Sequence, residues 1–457
     1  MDTVNVKTDF ASVIGPVRPM HSVGNGPFTR RAHSKSNTQY FADVHFPMAR
    51  THDAAFFSAY GGEHAVDITN IFPDFSADEN DPASYDFWLT DEYMEHILET
   101  GTKVFYRLGQ KIEHESKRYG ALPPKDYAKW ARICEHVIRH MNFGWADGHE
   151  YGIEYWEIWN EPDLHPQCWD SADETFFPLF DTAVRHLKKC FPELKIGGPA
   201  VTHLSPNGYC RKLFDYMTRD KDDPTPIDFF SYHGYGTDPS MYSSTGKAAR
   251  EFLDSYGYKD AEIILNEWNY VRGWVGDDIV YSHLALRSLK GSAYIASSVI
   301  EAQKSPIDKF MYYEACLAST WNGLFDRITS EPLKGYWSMR AFDSLFSLGH
   351  EARSGSDSPD VRALAAVSAD GSEAAVMISY YKDHDSLDGS GAESEALKLR
   401  VEWSGFSSEN GVDAEYCLLD GVHDLEPVSY ETFMGDKCGH VLELPLYATV
   451  LVRLKKN

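Results

Sequence analysis

Tyr155-Trp156-Glu157-Ile158-Trp159-Asn160-Glu161-Pro162-Asp163 is the stretch on which the fold of this chain turns. An apolar, β-prone run ends at Trp159, and an amide, a carboxylate and a proline follow directly. Proline has no N–H for a strand ladder, so Glu161 stands where the strand stops and a loop begins. A second stretch has the same shape: Ile263-Ile264-Leu265 runs into Asn266-Glu267-Trp268-Asn269. In a barrel of parallel strands, the strand C-termini form the face on which chemistry is done. Two carboxyl groups at one cleft are the minimal equipment for breaking a glycosidic bond.

Outward from these two stretches, short apolar runs alternate with helical patterns over residues 13–348. Eight runs read as strands: Val17–His21, Phe46–Thr51, Lys103–Leu108, Glu154–Asn160, Lys195–Gly198, Asp228–His233, Glu262–Asn266 and Lys309–Glu314. The spacing predicts helices over Asp91–Thr100, Lys125–Met141, Thr175–Cys190, Lys247–Tyr256 and Tyr281–Ala302, with the polar Ala32–Ala42 as the weakest pattern. Lys125–Met141 is the clearest, because Trp130, Ile133, Val137 and Met141 recur at helical spacing behind Pro123-Pro124. Repeated βα units build a parallel sheet, and eight of them close into a (β/α)8 TIM barrel.

After Gly349 the texture changes. Val361–Val367, Asp370-Gly371 and Ala374–Tyr381 read as a β-hairpin, and Leu397–Trp403, Glu415–Leu419, Val441–Leu444 and Thr449–Leu454 read as further strands. The expected organisation is an α/β chain with a catalytic barrel over 13–348 and a C-terminal all-β sandwich over 349–457. Residues 1–12 are expected to pair with that sandwich.

A chain of 457 residues suits a barrel with one accessory domain. Its 11 Trp and 27 Tyr can fill a large core, and aromatic faces also stack on sugar C–H surfaces. A net charge of −26 makes nucleic acid and anionic membrane poor partners and weakly disfavours a polyanionic substrate. The seven cysteines are widely spaced with no Cys-x-x-Cys, which suits free thiols in a reducing compartment. No apolar run reaches the length of a membrane span, and Met1–Phe10 lacks the apolar core of a signal peptide. The expectation is a cytoplasmic protein, with self-association left open. No His-Glu-x-x-His, Cys/His ligand spacing, complete phosphate loop or Gly-x-Ser-x-Gly elbow occurs, so neither a metal nor a cofactor is expected.

Glu161 ends the fourth expected strand and Glu267 the seventh, so they face each other across the barrel mouth. The acid needs a raised pKa, for which Trp159 and its neighbours are the expected shield. The nucleophile must stay ionised, and Arg50 at the end of the second strand is the natural cation beside it. Asn160 is placed to bond a sugar 2-hydroxyl, against the plainer reading of a loop cap. His52, and the pair His233 and Tyr235, stand at strand ends where they can reach substrate, although structural pairing would explain them too. Glu154 and Glu262 begin their strands on the opposite face, and Glu157 lies mid-strand, so these are weaker candidates. Glu314 ends the eighth strand as a pocket-lining candidate. The loops Asp67–Asp86 and Trp268–Asp278 are expected to wall the pocket.

These stretches resemble glycoside hydrolase family 39, the family of β-xylosidases and α-L-iduronidases. The matching segments are Arg50-Thr51-His52, Leu122-Pro123-Pro124-Lys125-Asp126-Tyr127, Glu157-Ile158-Trp159-Asn160-Glu161-Pro162, Ile196-Gly197-Gly198-Pro199-Ala200, His233-Gly234-Tyr235 and Asn266-Glu267, in order along the barrel. The resemblance implies Glu161 as acid/base and Glu267 as nucleophile, with Asn160, His52, His233 and Tyr235 on the glycone and Arg50 near the nucleophile. It also implies a C-terminal β-sandwich. The chain departs from the xylosidases in having Asn266-Glu267-Trp268-Asn269 around the nucleophile and Met311-Tyr312-Tyr313-Glu314 where they carry a tryptophan, so that Tyr313 stands in for that platform. The expectation is a retaining exo-glycosidase acting on a terminal pentose, β-D-xylose or α-L-arabinofuranose, of an oligosaccharide or glycoside. Another sugar specificity of the family, a transglycosylase, and a barrel that binds sugar without cutting it are the rivals.

Overall fold

The computed structural model describes residues 3–27, 36–52, 64–392, 395–435 and 438–457. The first strand, β1 (Thr3–Pro16), does not enter the barrel. The barrel is closed by β2 (Ser22–Gly24), β3 (Met48–Arg50), β4 (Lys103–Leu108), β5 (Tyr155–Ile158), β6 (Lys195–Val201), β7 (Phe229–Gly236), β8 (Glu262–Tyr270) and β9 (Lys309–Tyr312), all parallel, with β9 pairing back onto β2. The first barrel strand therefore begins at Ser22, not at Val17. Arg18 explains the shift, because its guanidinium is spent on the carbonyls of Gln303 and Ile307. The next turn buries His21 against Phe342 and Phe346, so Val17–His21 packs beneath the barrel instead of joining its ladder.

Ten helices are described. They are α1 (Thr38–Val44), α2 (Ile68–Ile71), α3 (Trp88–Leu98), α4 (Tyr127–Phe143), α5 (Asp173–Cys190), α6 (Tyr209–Met217), α7 (Ser240–Ser255), α8 (Gly276–Ala285), α9 (Leu289–Gln303) and α10 (Lys334–Leu348). Helix α1 covers the end of the weak Ala32–Ala42 pattern, of which 32–35 lie outside the described residues. Asp126, not the proline pair, starts α4, its carboxylate accepting from Lys129 N at 2.9 Å. The single helix expected over Tyr281–Ala302 is two. The chain breaks between Ala285 and Leu289, where the Arg287 side chain donates to the carbonyls of Asn322 and Ser319. Gly291 then presses so close that a Cβ there would meet Ala285 O at 2.5 Å. Helices α6 and α10 were not anticipated.

The second sheet continues through β10 (His350–Ser356), β11 (Val361–Val367), β12 (Glu373–Tyr380), β13 (Leu397–Ser404), β14 (Val412–Leu419), β15 (Asp424–Phe433), β16 (Cys438–Leu444) and β17 (Thr449–Lys456). With β1 they form nine strands in the order β15-β14-β17-β12-β11-β10-β1-β13-β16. The sheet folds over on itself. Trp403 of β13 meets Phe433 of β15 edge to face at 5.0 Å, and His440 of β16 reaches Glu431 of β15 at 2.9 Å, although these strands stand at opposite ends of the order. Strand β15 escaped sequence reading because only Leu425 of its ten residues is buried, so no apolar face marks it. Helix α9, buried along nearly its whole length, packs on the inner strands of this sheet, with Ser297 Oγ and Ser379 Oγ 3.0 Å apart.

The barrel interior is layered. Met48, Phe105, Tyr155, Phe229, Ile264 and Met311 form an apolar plug. Two residues further along their strands come Arg50, Arg107, Glu157, Ser231 and Asn266, all buried. Side chains two apart on a strand share a face, so a polar tier sits directly on the apolar one. The candidate site is built on that tier.

Candidate active site

One turn after β5 places the first carboxylate. Trp159 and Glu161 both adopt left-handed backbone, with φ of 74° and 46°. Such a conformation costs a non-glycine residue about 1–3 kcal/mol and persists only where packing enforces it. Here Trp159 swings away from the barrel axis, donates its indole N–H to Cys168 O at 2.9 Å, and packs against Trp130, Trp169 and Phe176. Trp159 therefore buttresses the turn from outside and is not the shield expected over the acid. The opposite swing delivers Glu161 into the cleft. Gly198 makes room beneath, since a Cβ on it would meet Ile158 O at 2.8 Å.

Glu267 arrives from β8 and is buried. Its Oε1 accepts from Arg50 Nη1 at 2.7 Å, and its Oε2 from the Tyr235 hydroxyl at 2.6 Å. His233 Nδ1 lies 2.8 Å from Glu161 Oε1 and 3.3 Å from Glu267 Oε2, so one ring nitrogen serves both carboxylates. Glu161, His233 and Glu267 have carboxylate and ring atoms all within 4.8 Å of one another. A cation could be ligated by that trio, but Arg50 already neutralises Glu267.

Arg50 is the hub of the polar tier. It donates from Nε to Glu157 at 2.7 Å, from Nη1 to Glu267 and from Nη2 to Asn160 Oδ1 at 2.6 Å. Burial opposes its charge, but Glu157 and Glu267 outweigh that and raise its pKa. Glu157 also accepts from Ser231 Oγ at 2.6 Å and from the Asn266 amide. Burial raises the Glu267 carboxyl above its ordinary value, His233 and Arg50 pull it down, and Glu161 pushes it up. Burial also drives His233 down to about 4 and His52 well below its usual range, so both rings are neutral at neutral pH. Arg50 is then the cation left to hold Glu267 ionised. The Tyr235 hydroxyl is raised by burial and by Glu267, and acts as a donor throughout the physiological range.

The cleft above is a cavity of about 1370 Å³ whose walls include His52, Glu161, His233, Tyr235, Glu267, Tyr313 and Glu314. Arg50 and Asn160 do not line it. They lie beneath, each 1% exposed, although Asn160 Nδ2 is buried with no hydrogen-bond partner. Glu314 is tied to the Asn25 side chain. Trp268–Asp278 supplies Trp274 to the wall, where it meets Tyr235 edge to face at 5.2 Å and Trp321 at 5.6 Å. Asp67–Asp86 does not wall the pocket. Asp67 pairs with Arg107 at 2.7 Å and Glu79 with Arg132 at 2.8 Å, so that loop braces β4 and α4. Residues 111–115 and 316–321 take part in the wall instead. Sequence reading missed these segments and also missed Glu157, Ser231 and Asn266 as partners of the site. The one signal for Glu157 was its inward parity, two residues on from Tyr155.

The family model for glycosyl hydrolases family 39 matches residues 61–264, a span that includes Glu161 and stops just short of Glu267. A β-xylosidase of Caldicellulosiruptor saccharolyticus is 30% identical over 209 residues, 41% of this chain and 41% of that protein. A β-xylosidase of Geobacillus stearothermophilus is 25% identical over 238 residues, 48% of this chain and 43% of that protein. The matches thus span about two fifths of the length of these curated relatives. The crystal structure of a glucosidase from Croceicoccus marinus superposes with a TM-score of 0.80 at 20% identity, covering 100% of this chain and 99% of that one. Over residues 61–264 the chain is similar to glycosyl hydrolases family 39.

Proposed function

We propose that this protein is a retaining exo-glycosidase that releases a terminal pentosyl residue, β-D-xylose or α-L-arabinofuranose, from an oligosaccharide or glycoside. The observation that carries the reading is the approach of Glu161 and Glu267 to within 4.8 Å between carboxylate oxygens. Retaining enzymes hold their carboxyl groups about 5–5.5 Å apart, whereas inverting ones need roughly 6.5–9.5 Å to admit a water between carboxylate and sugar. The close approach of the two carboxylates supports the retaining arrangement. Glu267 attacks the anomeric carbon as the glycosidic bond breaks, and Glu161 gives its proton to the leaving oxygen. Water, deprotonated by Glu161, then releases the sugar from Glu267.

His233 suits this exchange of roles. Before attack the negative charge is on Glu267, and after it on Glu161, and the same Nδ1 faces both. Tyr313, on the cavity wall, offers a face for the sugar ring. The pentose reading leans on the names of the β-xylosidase relatives. It is tested by hydrolysis of nitrophenyl β-xyloside, α-L-arabinofuranoside, α-L-arabinopyranoside, β-glucoside, β-galactoside and α-L-iduronide. Pentoside cleavage abolished in Glu267→Ala, with azide restoring turnover to an inverted glycosyl azide, is the expected result. Cleavage of only the hexosides or the iduronide overturns the pentose assignment. Cleavage of one of these glycosides that survives Glu267→Ala overturns the mechanism.

A further inference from the structure

Outside the residues that line the cleft, Asp91, His140 and His149 converge from α3, α4 and the turn after α4, their ligating atoms all within 4.8 Å. His140 Nε2 lies 3.0 Å from Asp91 Oδ1, and His149 Nε2 lies 3.4 Å from Asp91 Oδ2. We propose that Asp91, His140 and His149 form a site for a divalent transition-metal ion, Zn²⁺ by preference, that clips α3 to α4. Nothing in the glycosidase reading requires it.

The argument begins with His140. Its Nδ1 lies 2.9 Å from Trp145 O, a carbonyl that can only accept, so Nδ1 carries the hydrogen. In the neutral ring Nε2 then bears a lone pair, and that lone pair faces a carboxylate oxygen. Two electron pairs turned on each other are reconciled by a proton or by a metal ion between them. A ring N–H fixed on a backbone carbonyl, with the other nitrogen free to ligate, is also how metal-bound histidines are oriented. His149 supplies a second nitrogen. Its Nε2 is buried, has no hydrogen-bond partner, and points at the second oxygen of the same carboxylate. A tetrahedron with arms of about 2.1 Å has edges near 3.4 Å, close to both measured separations. Asp91 and His149 are each about a quarter exposed, so water can complete the shell.

The rings are braced for the task. Phe87 stacks flat on His140 at 3.6 Å, and Tyr151 on His149 at 4.3 Å. A second cluster, Glu135, His186 and Cys190, makes a useful contrast. There Arg139 Nη2 already sits 2.7 Å from Glu135 and supplies the positive charge. No lysine or arginine forms an ion pair with Asp91 among the described residues, so the first cluster still lacks its cation.

The test is titration of chelator-treated full-length protein with Co²⁺, read by the visible absorption of the ion and by its displacement with Zn²⁺. The expected result is one Co²⁺ per chain with the intense bands of a tetrahedral site. Those bands should be lost in His149→Ala and Asp91→Asn, while the circular dichroism and sugar-releasing activity of both variants match the parent. Zn²⁺ should raise the parent's melting temperature and leave that of His149→Ala unmoved. Co²⁺ binding that survives in His149→Ala overturns the assignment, as it places the ion elsewhere, for example on Glu161, His233 and Glu267. No binding at millimolar Co²⁺ also overturns it, leaving an imidazolium–carboxylate contact in place of the metal.

Discussion

Replacing Arg50 tests the electrostatics of the site most directly. Its guanidinium is 1% exposed and holds Glu157, Glu267 and Asn160 with three separate N–H groups. Arg50→Met keeps the bulk of the stem and removes the cation. With charge centres roughly 4 Å apart and an effective dielectric near 20, the lost attraction is about 4 kcal/mol. At about 1.4 kcal/mol per unit, that raises the Glu267 pKa by roughly three. Burial and Glu161 already push this carboxyl upward, and only His233 and the Tyr235 hydroxyl would still pull against them. The acid limb of the kcat/KM profile should move up by two to three pH units, and activity at a pH below the shifted limb should fall with it. Removing one partner of a buried pair also costs about 3–5 kcal/mol of stability. The sign follows from the direction of the shift. A carboxyl whose folded pKa lies above its unfolded value contributes stability at low pH and loses it as pH rises through the folded value. Arg50→Met should therefore be most unstable above neutral and recover toward acid, as read by urea unfolding at several pH values. Arg50→Lys keeps the charge but cannot span three acceptors, and its acid limb should move by less than about one unit. A folded Arg50→Met with an unmoved acid limb refutes the reasoning. If that variant does not fold, a three-unit shift in Arg50→Lys refutes it equally.

Three further outcomes are expected. Tyr235→Phe removes the hydroxyl 2.6 Å from Glu267 Oε2, and a hydrogen bond to a charged group is worth about 1.5–3 kcal/mol, so kcat/KM should drop roughly ten- to a hundred-fold with unchanged melting. Lys290, 1% exposed on α9, holds Asp383 and His384 O of the loop after β12. Asp383 can turn to water, so Lys290→Met should cost about 1–3 kcal/mol in urea unfolding and leave kcat/KM within roughly twofold. Burial lowers the pKa of His21 from 6.5, which means that the unfolded chain takes up a proton the folded one refuses, and stability is lost as pH falls below that value. His21→Phe should flatten the stability profile below pH 6.5 by up to about 1.4 kcal/mol per pH unit, measured by unfolding at pH 7 and pH 5.

What could be read from the chain follows from how far each signal reaches. A strand such as Lys103–Leu108 declares itself locally, and the expected limits coincide with β4. Glu161 and Glu267 were legible because each stands where an apolar run gives way to loop residues, a change visible within nine residues. Val17–His21 misled because Arg18 and His21 are fixed by Gln303, Phe342 and Phe346, residues far away in the chain. The break between α8 and α9 depends likewise on Arg287 finding the carbonyls of Ser319 and Asn322. The pocket wall over 316–321 has no regular structure, and hydrophobic periodicity is silent about it.

Glu157 shows the limit best. Judged on β5 alone it is a buried mid-strand acid, an awkward residue with no evident role. Its meaning comes from three other strands: Arg50 on β3, Ser231 on β7 and Asn266 on β8. That register between strands cannot be read from any one of them. A barrel that only bound sugar would gain little from this tier, because replacing buried ion pairs with well-packed apolar residues is often neutral or stabilising. The tier makes sense if the charge on Glu267 must be held by something stronger than solvent. With both histidines neutral, a single guanidinium anchored from below by Glu157 is the one cation aimed at Glu267 among the described residues. In the double displacement proposed above, Glu157 keeps its hold on Arg50 while Glu267 bonds the sugar. On that proposal the attraction is weakest when the ester has formed and regained when water releases the product, so the contact that keeps Glu267 charged also helps to return it.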